Sequence, residues 1–286
     1  MSAVSRTRID ANGPFDRVAA LGTLTAHAVD GLHRLDPDTT ELTRWVDVHG
    51  DPQLVTVCLD PGGATVSTAT RDAGVSDEIA ARVQHWFDLD TDLTPVNARL
   101  GADPVLAGQV RSRPGIRITR FHAPFEAVIL TVLGQQVSLA AGRLFAARLI
   151  AAYGDDAAPV RQEPGLRVFP TPVALTAVPV EELRAVIGLT GTRARTVHAV
   201  AAHFAETARD ASLPARAELH AVHGIGPWTL DYLAIRASTD ADAFPATDAV
   251  LRRTLAAISP DTGPERAASW SPYRSYAASR LWAHTL

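Results

Sequence analysis

Alternation of apolar and polar residues is confined to the first third of the chain, and helical spacing dominates the rest. Leu42–Val48, Gln53–Asp60 and Gly63–Thr68 are short and rich in Val, Leu and Thr. Gly50-Asp51-Pro52 and Pro61-Gly62 separate them, which predicts an antiparallel meander or a pair of hairpins. Val18, Leu21, Leu24 and Val29 predict a helix or helix–turn within 15–35. Ile79, Val83, Trp86 and Phe87 predict a second helix over Val75–Phe87. Met1–Asn12 is polar and is expected to fray. Residues 1–95 thus read as a small α+β domain.

From residue 96 to 286 the strand signal nearly vanishes. Helices are predicted over Asp103–Val110, Pro124–Leu133, Leu139–Ala152, Pro172–Thr176, Val180–Ile187 and Thr192–Thr207. Four more are predicted over Ala215–His223, Trp228–Ala237, Asp248–Ala257 and Tyr273–His284. Starts at Thr, Asp or Pro and ends near Gly154, Gly188 and Gly224 agree with helix capping. The expected class is α+β: a small antiparallel-sheet domain, then a mostly helical one.

Composition narrows the function classes. With 47% hydrophobic and 20% charged residues, the 286-residue chain is neither disordered nor fibrous. Its longest largely apolar runs, such as Phe125–Leu133, fall short of the ~20 residues of a membrane span. No membrane association is expected, and a cytoplasmic location is. The one cysteine, Cys58, excludes an internal disulfide, a cysteine-ligated zinc site and an iron–sulfur cluster. Its apolar surroundings, Leu54–Leu59, predict a buried core thiol.

Charge adds two facts. The chain has no lysine, so all 27 basic side chains are arginine. Residues 1–104 carry 8 Arg against 16 acids, whereas residues 105–286 carry 19 against 15. The acidic part repels nucleic acid and the basic part can hold it. Between Leu106 and Ile150 stand Arg111, Arg113, Arg117, Arg120, Arg143 and Arg148 against Glu126 alone. That stretch is a candidate DNA face or a solvated basic surface.

The most informative stretch is Leu219–Arg236. An apolar helix stops at Gly224-Ile225-Gly226, and a second begins at Pro227-Trp228-Thr229. Two glycines allow a tight turn and close approach of a ligand to the backbone. Pro227 suits a first helical turn, because its missing N–H would find no helical partner there. The turn then offers free N–H groups and a positive dipole end, a phosphate site that needs no lysine. Ile225 is expected to plug the crevice between the helices. An ordinary helical hairpin with a glycine turn is the plainer reading of these residues.

After the second helix comes Asp242-Ala243-Phe244-Pro245-Ala246-Thr247-Asp248. Here the chain resembles the helix-hairpin-helix DNA glycosylases, in which a Gly-Ile/Val-Gly hairpin precedes an essential Asp at a helix start. Within them it is most similar to the 3-methyladenine DNA glycosylase II family. Matching segments include Pro14-Phe15-Asp16, Trp86-Phe87-Asp88-Leu89, Leu100-Gly101-Ala102-Asp103-Pro104, Gly134-Gln135-Gln136-Val137-Ser138, Phe169-Pro170-Thr171-Pro172 and Trp270-Ser271-Pro272-Tyr273. They run in order along nearly the whole chain.

The resemblance implies a helical domain of two lobes flanking an active-site cleft, acting as a monomer on double-stranded DNA with alkylated bases. It implies a monofunctional glycosylase that flips a damaged purine and hydrolyses its N-glycosidic bond. Asp248 would be catalytic, since sugar–base cleavage builds positive charge on the sugar, which a carboxylate stabilises. Its plainer role is helix N-cap, and the two are compatible. Trp228, Tyr232 and Trp282 would surround the flipped base, their ring faces attracting a cationic purine. Tyr276 and Trp270 read as core aromatics, and Asp242 as solvated or structural.

Gly224, Ile225, Gly226 and Thr229 would bind DNA, and Gln136 would occupy the wedge position where an apolar side chain is common. His223 either reaches phosphate or simply packs. Thr23 stands where the family can carry an aromatic, so the pocket is expected to be wider or more polar. No metal or cofactor is expected beyond a monovalent cation at the hairpin. Rival readings are a lyase-type or oxidised-base glycosylase, and a non-catalytic helix-hairpin-helix module that binds DNA or senses damage.

Overall fold

The computed structural model describes residues 5–155, 163–207, 212–259 and 264–285. Five antiparallel strands form one sheet: β1 (Ser5–Asp10), β2 (Arg34–Asp36), β3 (Glu41–Val48), β4 (Asp51–Asp60) and β5 (Gly63–Thr68), in the order β1-β5-β4-β3-β2. Pairs such as Trp45↔Leu54 and Val57↔Val66 set its register. Helices α1 (Arg17–Ala26) and α2 (Ala73–Trp86) belong to this part. Residues of α1, α2 and the sheet, among them Ala20, Val57, Val66, Ile79 and Trp86, close one apolar core.

Three sequence expectations are corrected here. Ser5–Asp10 is an ordered edge strand, paired with β5 from Ser5↔Thr68 to Asp10↔Gly63. Edge strands bury little, and of its residues only Ile9 is buried, so backbone pairing rather than patterning orders it. Cys58 is half-buried, because it points to the sheet face opposite Val57 and Leu59. Val18 is 66% exposed; α1 buries Ala19 and Ala20 instead.

Among the described residues eleven α-helices follow: α3 (Leu93–Gly101), α4 (Ala107–Ser112), α5 (Pro124–Gly134), α6 (Leu139–Tyr153), α7 (Pro172–Thr176), α8 (Val180–Ile187), α9 (Gly191–Thr207), α10 (Arg216–Ala221), α11 (Pro227–Ala237), α12 (Ala249–Ile258) and α13 (Arg274–Ala283). The helix expected over Asp103–Val110 begins only at Ala107. Asp103 instead turns the chain, accepting from Val105 N at 2.9 Å and pairing with Arg266 at 3.0 Å. Sequence spacing missed α3, where Pro95 sits harmlessly in the first turn. As expected, Trp270 and Tyr276 are buried, and Asp242 is structural, paired with Arg274 at 2.9 Å.

The helices pack around two further cores. One gathers α5 to α11, including Leu133, Leu149, Val197, Ile225 and Leu233. The other gathers α3, α4, α12 and α13, including Leu100, Leu251 and Leu281. Helix α11 serves both, giving Leu230, Leu233 and Ala237 to the first and Ile235 to the second. Its remaining face carries Trp228, Tyr232 and Arg236, spaced i, i+4 and i+8. That face opens on the gap between the cores.

A buried ion pair ties the sheet to α5. Arg44 on β3 donates to both carboxylate oxygens of Glu126, at 2.9 and 2.6 Å. Arg44 also reaches His33 Nε2 at 2.9 Å, and His122 lies 3.2 Å from Glu126. Burial alone would raise Glu126, but Arg44 and His122 more than offset it and hold the carboxyl well below its usual range. Burial, helped by the Arg44 charge, pushes His33 down to about 3.

Acid is therefore expected to destabilise the fold. The unfolded chain takes up a proton at His33 near pH 6.5, whereas the folded chain does so only near 3. Stability thus declines as pH falls from about 6.5, and protonation of Glu126 removes more as pH approaches its depressed value. His33 alone is expected to remove on the order of 3 kcal/mol between pH 7 and 4.5 in urea unfolding, and His27, held equally low by burial, about as much again. A flat profile over that range would contradict the assignment.

Candidate active site

A cavity of about 470 Å³ lies between the helical cores, closed on one side by α1. Trp228, Tyr232, Trp282, Thr23, His27 and Asp248 are among its walls. Asp248 is 8% exposed and caps α12. The turn before it is held by its own N–H, which donates to the Pro245 carbonyl at 2.8 Å. Oδ1 accepts from Val250 N at 3.0 Å and Leu251 N at 2.9 Å. The cap reading of the sequence is thus correct as far as it goes.

Two indoles complete the carboxylate's shell. Trp282 Nε1 donates to Oδ1 at 3.2 Å and Trp228 Nε1 to Oδ2 at 3.0 Å. Oδ1 accepts three hydrogen bonds and Oδ2 one, so Oδ2 is the oxygen with capacity left for another group. The tryptophans therefore orient Asp248 as well as wall the cavity, a role the sequence reading did not foresee. Tyr232 stacks on Trp228 (5.2 Å, 18°) and meets the edge of Trp282 (5.6 Å, 64°).

The hairpin lies at the start of the same helix. Gly224 adopts φ +95°, and a Cβ there would collide with the Thr196 side chain. Ile225 is buried between the helices, as its plug role requires, and His223 is exposed. A Cβ on Gly226 would meet nothing within 4 Å, so that position faces open space. Thr229 opens the same helix through its backbone rather than its side chain. It is buried, and its hydroxyl accepts from Gln135 Nε2 at 2.9 Å, so only its first-turn amide is left to offer DNA.

Gln135 was missed by sequence reasoning. Besides Thr229 it donates to the Gly224 carbonyl at 3.1 Å, and Arg193 donates to its own carbonyl, bolting the α5–α6 loop to the hairpin. Gln136, next to it, is exposed with φ +53° at the tip of that loop. Thr23 lines the cavity, its hydroxyl turned back to the Ala19 carbonyl at 3.1 Å.

The expected arginine face is mostly structural. Arg113 pairs with Asp16 at 2.7 Å, and Arg120 with Asp88 at 2.9 Å. Arg117 donates to the carbonyls of Asn12, Pro14, Asp88 and Thr91, and Arg148 to that of Ile187. Arg111, Arg143 and Arg148 are the exposed members of the set, Arg148 with one donor taken by Ile187.

Residues 6–122 match the family described as the AlkA N-terminal domain, and residues 129–268 match the HhH-GPD superfamily of base excision DNA repair proteins. The DNA-3-methyladenine glycosylase 2 of Escherichia coli is 30% identical over 280 residues, covering 94% of each chain. The chain belongs to the DNA-3-methyladenine glycosylase family. A second relative, a probable bifunctional transcriptional activator/DNA repair enzyme AlkA from Mycobacterium tuberculosis, is 38% identical over 215 residues. That alignment covers 71% of this chain but 42% of the mycobacterial protein, so the chain spans less than half of that relative's length. In fold, it is similar to a 3-methyladenine DNA-glycosylase from Archaeoglobus fulgidus, with TM-score 0.80, 16% identity and 98% of both chains covered.

The two glycines of this family member make opposite predictions. Gly226→Ala is expected to leave the melting temperature unchanged and weaken binding to all duplexes about tenfold, by keeping phosphate from the backbone. Gly224→Ala is expected to lower the melting temperature by several degrees through strain at positive φ. Duplex titrations beside thermal melts read both. A Gly226→Ala defect confined to one damaged base would contradict a phosphate role.

Proposed function

We propose that the chain is a monofunctional DNA glycosylase that flips alkylated, 3-methyladenine-type purines out of duplex DNA and hydrolyses their N-glycosidic bond. The observation that carries this reading is Asp248: a buried carboxylate on the wall of a base-sized cavity, aimed by two indole N–H groups. Trp228, Tyr232 and Trp282 supply stacking faces, and the amides of Gly226, Trp228 and Thr229 supply the phosphate contact. Gln136 fills the space left in the duplex. Asp248 Oδ2 faces the developing sugar cation and the attacking water. The chain acts as a monomer in the cytoplasm. A monovalent cation shared by hairpin and phosphate would meet only oxygen donors, the carbonyls of the turn, which suits a hard ion.

Lyase chemistry is disfavoured by residue type. Bifunctional relatives attack the sugar with a lysine amine, and this chain has none; Trp228 holds the corresponding place. Arginine remains protonated and cannot replace it. Methylated duplex should therefore release free base and keep an intact strand that breaks only with alkali or heat. Borohydride should trap no covalent adduct. Binding without release would favour the non-catalytic module, and a robust trapped adduct the lyase.

A further inference from the structure

The loop between α5 and α6 is short and held from several sides. Helix α5 ends at Gly134 and α6 begins at Leu139. The two stems press together, since a Cβ on Gly142 would stand 3.1 Å from the Gly134 Cα. Ser138 caps α6 by accepting from Ala141 N at 3.2 Å. Gln135 leaves α5 in an extended conformation, φ −60° and ψ 131°. Its side-chain amide donates to the Gly224 carbonyl at 3.1 Å and to the Thr229 hydroxyl at 2.9 Å, on the two sides of the hairpin turn. Helix α9 grips both partners. Arg193 donates to the Gln135 carbonyl while lying 5.8 Å over the Phe145 ring. The Thr196 hydroxyl donates to the His223 carbonyl at 2.8 Å. Gln135 thus closes a ring of three elements: the loop, the hairpin and α9.

What the ring presents is Gln136, exposed and at φ +53°. A glutamine rarely takes the left-handed conformation, which persists where the surroundings impose it and which clusters at functional positions. Here the cause is visible. The Gln135 carbonyl shares a rigid peptide plane with the Gln136 N–H, so the arginine that holds the carbonyl also sets the plane from which Gln136 turns. The capped start of α6 fixes the other side. Gln136 is therefore kept at a set distance from Gly226, whose Cα faces open space where phosphate is to approach.

We propose that Gln135 is a positioning residue that couples the phosphate-binding hairpin to the wedge: by bracing the loop against Gly224 and Thr229 it delivers Gln136 into the duplex in register with the phosphate the hairpin holds. The inference rests on the glycosylase reading above, with Gln136 as the wedge. Taking a nucleotide out of the stack costs unstacking and unpairing energy. A wedge on a slack loop would add the entropy of ordering that loop at the moment of insertion. A braced wedge has met that cost in folding, so binding energy gained at the backbone goes into opening the duplex. The same brace explains why the Thr229 hydroxyl is turned inward and leaves DNA to the helix amides.

The test compares single-turnover release of 7-methylguanine from a fully paired duplex and from one that carries the lesion in a single-base bulge. A bulged nucleotide is already unpaired and leaves no gap opposite a partner, so it needs no wedge. Gln135→Ala is expected to slow release from the paired duplex about 10- to 30-fold, the range for losing two hydrogen bonds between neutral groups, and from the bulge less than about twofold. Affinity for undamaged duplex is expected to stay unchanged, because the hairpin amides remain. Gln136→Ala should show the same pattern, and the double variant should be no slower than Gln136→Ala alone, since one residue acts through the other. Gln135→Glu removes the two donors at nearly the same size and carries the comparison should the alanine variant fail to fold, as read by circular dichroism. A folded variant that slows both substrates alike, or neither, overturns the proposal. So do multiplying effects in the double variant, or a Gln136→Ala protein as fast as wild type. Each of these leaves the glycosylase reading standing, whereas a wild type that releases 7-methylguanine from neither duplex removes that reading and the proposal with it.

Discussion

Asp248→Asn is expected to slow base release by about 10⁴-fold while the protein stays folded and binds duplex DNA. The estimate combines loss of a preorganised charge, roughly 10²–10³, with loss of a proton acceptor, roughly 10²–10⁴, which overlap because one group does both. Asparagine is itself a good N-cap, so its amide oxygen can keep the bonds to Val250 N and Leu251 N. Its NH₂ would then face the Trp228 indole N–H, two donors without an acceptor. A stability loss of about 1–3 kcal/mol follows, far too small to unfold a typical domain. Single-turnover assays on methylated duplex, beside a thermal melt, separate the two effects. Near-wild-type release by the folded variant would end the catalytic assignment of Asp248.

The largest effect on stability is expected at Glu126. Glu126→Gln leaves Arg44 as a buried cation with its carboxylate gone and His33 and His122 around it. Breaking one side of a buried pair costs about 3–5 kcal/mol, because the remaining charge stays desolvated. The urea midpoint should drop accordingly. Replacing both partners, Arg44→Met with Glu126→Met, is expected to be less damaging than Glu126→Gln alone, since no charge is then stranded. Equal losses in the two variants, or a loss below about 1 kcal/mol for Glu126→Gln, would show that the pair does not tie the sheet to α5.

Much of the site was legible because its causes are local. Gly224 is demanded by a positive φ, Pro227 by a first turn, and Asp248 by a cap, all requirements read within a few residues. The stripe Trp228, Tyr232, Arg236 follows from helical spacing alone, and that spacing could have drawn notice to Arg236. The regular strands of the sheet were legible for the same reason. The edge strand Ser5–Asp10 was not, because an edge pairs through its backbone and needs little patterning.

By itself, the sequence determined the three long strands and most of the helices, the phosphate-type hairpin, the carboxylate at the head of α12 and the absence of a lysine nucleophile. Each depends on residue type or on neighbours within one or two turns. Tertiary structure decided what each charged or polar group does. Arg117 is silent as a DNA contact because carbonyls 103 and 105 residues away in sequence take its donors. Trp228 and Trp282 aim Asp248 because α11, α12 and α13 converge at the cavity. Arg236 lacks a protein acceptor because no chain segment brings one to it among the described residues. Whether a polar group is paired, solvated or held open is a property of its surroundings, and those are assembled from distant parts of the chain.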